Sequence, residues 1–127
     1  MDKPQLAGLR VLLVEDEILV AMLLEDMLIE AGCEIVGPAR SLSTAQQLLE
    51  VDGADMAVLD VNIVGEPVYP FADTLAARNI PFLLVTGYAM NDIAPQLRDR
   101  PVLRKPFRYQ EFRKALRGLR AGPTPKP

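Results

Sequence analysis

Leu9-Arg10-Val11-Leu12-Leu13-Val14-Glu15-Asp16 is the stretch that decides the fold. A run of aliphatic and β-branched residues bounded by polar ones reads as a strand buried on both faces of a parallel sheet. A second such run, Met56-Ala57-Val58-Leu59, ends in Asp60. Glu15, Asp16 and Asp60 therefore sit where strands give way to loops, the edge at which open α/β sheets bind ligands. Like charges gathered there are costly unless a cation or a proton offsets them.

Working outward, strand-like and helix-like segments alternate five times. Residues 9–14 predict a strand, and a dense apolar pattern at helical spacing from Glu17 to Ala31 stops at Gly32, a natural helix terminator. A strand at 33–38 precedes a helix beginning near Ser41 or Ser43, where Ser43-Thr44-Ala45-Gln46 resembles a capping box. A strand at 55–60, a helix at about 67–78 and a strand at 81–85 follow. A short segment at 91–99, a strand at 102–104 and a helix at 109–120 complete the domain. Residues 1–121 read as one domain and 122–127 as a disordered Pro-rich tail. Repeated βα units joined by right-handed crossovers give helices on both faces of a sheet. Five units suit the α/β flavodoxin-like doubly wound fold, strand order 2-1-3-4-5, which puts Asp16 and Asp60 in one crevice.

Composition removes several chemistries. The 127 residues contain no histidine, so a Ser-His-Asp triad, a His-rich metal site and a phosphohistidine intermediate cannot be built within the chain. One cysteine, Cys33, cannot form an internal disulfide and reads as a small buried hydrophobe. No run of about 18 apolar residues predicts a membrane span, and Met1-Asp2-Lys3-Pro4 lacks a signal peptide's apolar region. The expectation is a soluble cytoplasmic protein. Charge is uneven: residues 104–127 carry +7, the remainder −10. That basic end contains Arg113, Lys114, Arg117 and Arg120, read chiefly as a solvated face. With no recognition helix and no aromatic–basic interleaving, direct nucleic-acid binding is not expected.

Strand-terminal Glu15-Asp16, Asp60 after strand three, Thr86 after strand four and Lys105-Pro106 after strand five together resemble the receiver domain of bacterial response regulators. The resemblance covers about residues 9–120. Singly, each group is an ordinary strand-end residue; the set of five in order is specific. The resemblance implies that Asp60 accepts a phosphoryl group from a histidine kinase or histidine phosphotransferase protein, with Thr86 and Lys105 contacting the phosphoryl oxygens. Hard oxygen donors without His or Cys suit Mg²⁺. Asp16, Asp60 and the backbone carbonyl of Asn62 would hold it, with Glu15 acting through water. The family's Lys-Pro peptide is usually cis, and the same is expected of Lys105–Pro106. The product would be a phosphoprotein switch in two-component signalling rather than an enzyme.

Leu84-Val85-Thr86-Gly87-Tyr88, with the sequence after Asp60, resembles the "FAT GUY" subgroup, named for a Phe-Ala-Thr-Gly stretch; Leu84 and Val85 replace its first two residues. Such receivers commonly stand alone in branched phosphorelays, often linked to stress signalling. Three residues before the lysine, where many receivers carry a switching Tyr or Phe, this chain has Val102, and Tyr88 is a candidate substitute. Asn91 can cap a helix at 91–99, but Pro95 falls in its interior, so 88–100 is expected to be short, distorted or mobile.

The helix at 17–31 has more apolar residues than one face needs. Val20, Leu23, Leu24, Met27 and Leu28 are expected against the sheet. Ile18, Leu19, Met22 and Ile29 are left over, and Ile18, Met22 and Ile29 line up as a partner-docking surface. Two rivals remain. A haloacid-dehalogenase-like phosphatase also uses a strand-end Asp, but its Asp-x-Asp-x-Thr becomes Asp60-Val61-Asn62-Ile63-Val64. A receiver-like module working without phosphorylation would not need all five strand-end groups.

Overall fold

The structure, a computed structural model, describes residues 6–63, 66–87 and 100–120. In chain order the elements are β1 (Arg10–Val14), α1 (Ile18–Glu30), β2 (Glu34–Ala39), α2 (Leu42–Asp52) and β3 (Met56–Asp60). Then come β4 (Asn62–Ile63), β5 (Glu66–Pro67), α3 (Tyr69–Ala77), β6 (Phe82–Thr86), β7 (Val102–Arg104) and α4 (Tyr109–Arg120). Five of the strands form one parallel sheet in the order β2-β1-β3-β6-β7. Counting only those strands, the order is the expected 2-1-3-4-5 of the flavodoxin-like doubly wound fold.

The continuous apolar runs serve two cores at once, because successive side chains of a strand leave opposite faces. Leu12, Val14, Ala57, Leu59, Phe82 and Leu84 pack with Ala45 and Leu49 of α2 and Phe71, Ala72 and Leu75 of α3. Val11, Leu13, Met56, Val58, Leu83 and Val85 pack with Leu24 and Leu28 of α1 and Phe112 and Leu116 of α4. Cys33 joins this second core, its thiol directed at the Leu6 carbonyl 3.6 Å away, and burial pushes its pKa up. Among the described residues, no helix is long and apolar enough to cross a membrane.

Several local expectations need correction. Helix α2 is capped by Ser41, whose hydroxyl oxygen accepts from the Thr44 N–H at 3.1 Å; Ser43 is not the cap. Such a cap is worth about 1 kcal/mol. In α1, Leu24, Met27 and Leu28 are buried as expected, but Leu23 is half exposed and Ala21 takes an inward position. The short antiparallel pair β4–β5 was not foreseen in the sequence. Neither was the irregularity in β2, where the register passes from Leu12↔Val36 to Val14↔Ala39. Gly37 sits there at φ +105°, and a Cβ would lie 2.7 Å from the Ala39 nitrogen. Only glycine meets both demands. The Gly37–Pro38 and Lys105–Pro106 peptides are both cis. The expectations for 88–99, including Tyr88 and Pro95, and for the tail lie outside the described residues.

Candidate functional site

Four neighbouring strand ends carry the chemistry to one place. Val14 pairs with Leu59, so Glu15 and Asp16 emerge from β1 beside Asp60 at the end of β3. On the other side Asp60 pairs with Val85, which sets Thr86 next to it. The Lys105 N–H donates to the Thr86 carbonyl at 2.8 Å, fixing the chain after β7 against the end of β6. The sheet register alone therefore brings Glu15, Asp16, Asp60, Thr86 and Lys105 together.

Glu15 and Thr86 are fully buried and Asp60 is only 8% exposed, while Asp16 is partly open. Carboxylate oxygens of Glu15, Asp16 and Asp60 lie within 4.8 Å of one another. The Lys105 ammonium bridges two of these acids, with Nζ 3.2 Å from Asp60 Oδ2 and 3.3 Å from Glu15 Oε1. It also lies 3.9 Å from Glu17 Oε1. The second oxygen of Glu15 accepts from the Glu17 N–H at 3.1 Å, at the start of α1.

The electrostatics match this crowding. Burial, then the neighbouring charge of Asp60, raises the Glu15 pKa from 4.5 to about 7, although the Glu17 N–H and Lys105 both favour its ionised form. The buried glutamate thus keeps its proton to a higher pH than a solvated one. Burial works to lower the Lys105 pKa, but the charges of Asp60 and Glu15 outweigh it and the net change is upward. Among the described residues, one ammonium faces these three acids, which leaves the pocket short of positive charge. A further cation is the natural remedy, and the hard oxygen donors gathered here fit Mg²⁺.

Of the residues singled out in the sequence, Glu15, Asp16, Asp60, Thr86 and Lys105 share this pocket. Ile18, Met22 and Ile29 are exposed on α1, outside it. Asn62 follows Val61, whose N–H donates to the Val85 carbonyl at 3.2 Å, so its backbone adjoins the acids' strand edge. Val102 is half buried against the α2–α3 core. Glu17 was missed; the signal available was the run Glu15-Asp16-Glu17 itself.

Comparison with known proteins gives a consistent result. The family pattern described as response regulator receiver domain matches residues 11–117. The solution structure of SdrG from Sphingomonas melonis Fr1 superposes with a TM-score of 0.79 at 42% identity, covering 94% of this chain and 98% of that one. A BeF3-activated conformation of SdrG, from Pseudomonas melonis Fr1, gives 0.78 at 44% identity, covering 89% and 97% of the two chains. The transcriptional regulatory protein PdtaR of Mycobacterium tuberculosis is 33% identical over 107 residues, 81% of this chain. The chain spans about half the length of that curated relative, 52%.

Proposed function

The chain belongs to the response regulator receiver family, and from that premise we propose that it is a receiver phosphorylated on Asp60. The donor is a histidine kinase or histidine phosphotransferase protein, and the phosphorylated form signals in the cytoplasm through protein contacts. The observation that carries this reading is the Lys105 ammonium set between Glu15 and Asp60, with Thr86 at the adjoining strand end.

The proposed chemistry follows from these groups. An Asp60 carboxylate oxygen attacks phosphorus, the bond from phosphorus to the donor nitrogen breaks, and an acyl phosphate forms. Lys105 Nζ, 3.2 Å from Asp60 Oδ2, holds that carboxylate in place at the strand end. As negative charge arrives on the phosphoryl oxygens, Lys105 can exchange its carboxylate partner for one of them, and the Thr86 hydroxyl can donate to another. Asp16, Asp60 and the Asn62 carbonyl would hold Mg²⁺, which when bound offsets charge on the acids and on the phosphoryl group. Both Glu15 oxygens already accept hydrogen bonds, which supports its acting on such a cation through water.

The exposed residues of α1 support the proposed docking surface for the phosphoryl donor. Ile18, Met22 and Ile29 are each more than half exposed, and Leu19 and Leu23 extend the patch.

Acetyl phosphate with Mg²⁺ is expected to add about 80 Da, one phosphoryl group, in an acid-stable and base-labile form. EDTA or Asp60→Asn should abolish the adduct, as read by intact-protein mass spectrometry. No adduct from acetyl phosphate or from a phosphorylated donor protein would overturn the reading. Repeated turnover of a phosphate ester would instead revive the phosphatase alternative.

A further inference from the structure

Glu17 occupies the N-cap position of α1, where Ser, Thr, Asp or Asn is the usual choice. Its side chain caps nothing in the helix. The carboxylate instead leans toward the pocket, 3.9 Å from Lys105 Nζ, while remaining 66% exposed. A pair this long and this open contributes little to resting stability. Its placement is more informative: Glu17 stands outside the group formed by Glu15, Asp16 and Asp60, on the solvent side of the same ammonium.

Lys105 shares two of its acids with the group suited to a cation. A divalent cation there and the ammonium are like charges competing for Glu15 and Asp60, so loading the pocket weakens the hold on Lys105. A nearby acid that no cation claims would retain the lysine at the pocket mouth. We propose that Glu17 is a positioning residue that takes up the Lys105 ammonium when the pocket is loaded with a divalent cation. It thereby lowers the cost of cation binding and keeps the lysine within reach of an incoming phosphoryl group.

This inference rests on the Mg²⁺-binding receiver reading, and a double-mutant cycle on Mg²⁺ affinity separates the two. Mg²⁺ dissociation constants are measured by NMR titration for the wild type, Glu17→Gln, Lys105→Met and the double variant, with thermal unfolding confirming that each is folded. Glu17→Gln is expected to weaken Mg²⁺ binding about fivefold with Lys105 present, and less than twofold in the Lys105→Met background. The same weakening in both backgrounds would show that Glu17 acts only as a distant charge and would overturn the proposal. If the wild type binds no Mg²⁺, the underlying reading falls with it.

A second readout needs no lysine variant. In ¹⁵N-lysine-labelled protein, the Lys105 Nζ signal of the wild type is expected to stay protected from water exchange when Mg²⁺ is added. In Glu17→Gln it should broaden and be lost on the same addition. Equal protection in the two proteins would also count against the proposal.

Discussion

Replacing Lys105 with methionine is expected to destabilise the metal-free protein by about 3 kcal/mol at pH 8, because it strands two buried carboxylates without their counter-ion. Glu15 is fully buried, the Asp60 side chain nearly so, and that of Lys105 only 22% exposed, so solvent screens the interaction weakly. The cost should shrink by about half at pH 5, where Glu15 carries a proton and only Asp60 has lost an ion pair to Lys105. Urea unfolding in EDTA at the two pH values measures both quantities. A cost below about 1 kcal/mol at pH 8, or one independent of pH, would show that the ammonium does not hold the acids as described.

Glu15→Gln tests the same charge excess from the opposite side. The pKa of Glu15 is raised from 4.5 to about 7 in the folded protein, so its folded pKa lies above its unfolded one. The stability it contributes is therefore fully present below pH 4.5 and is lost as pH rises through about 7. The gap between the two values corresponds to about 3 kcal/mol. Glutamine cannot ionise and escapes that loss. In EDTA, the stability of Glu15→Gln relative to the wild type should rise by about 3 kcal/mol between pH 4.5 and pH 8. Mg²⁺ should close part of the difference at pH 8, since cation binding favours the ionised glutamate of the wild type. Parallel pH profiles for the two proteins would contradict the assignment.

The sheet and its acidic strand ends were legible in the sequence for one reason, whereas Thr86 and Lys105 were singled out by the resemblance to receivers. Runs such as Val11-Leu12-Leu13-Val14 and Met56-Ala57-Val58-Leu59 are buried on both faces, and the polar residues ending them mark the sheet edge without further information. Helix α1 was harder to read because it is apolar on nearly every side. Periodicity then marks no single face: Leu23 was assigned inward although it is half exposed, and the inward role of small Ala21 left no hydrophobic signal. Ser41 and Ser43 are chemically equivalent as caps, and only the backbone decides between them. The β4–β5 pair is too short, and too dependent on Val61 and Val68 closing it by a 3.0 Å hydrogen bond, to leave a pattern. Glu17 became informative only when folding carried Lys105 to it across 88 positions of sequence, which no local spacing encodes.

The central claim is that the carboxylate of Asp60 accepts the phosphoryl group. Borohydride reduces an aspartyl phosphate to homoserine and leaves ordinary carboxylates untouched, so it marks the acceptor permanently. After acetyl phosphate and Mg²⁺, then borohydride and proteolysis, peptide sequencing by mass spectrometry should find homoserine at position 60. Homoserine at Asp16 or elsewhere, or at no position despite a phosphoryl adduct on the intact protein, would contradict the account.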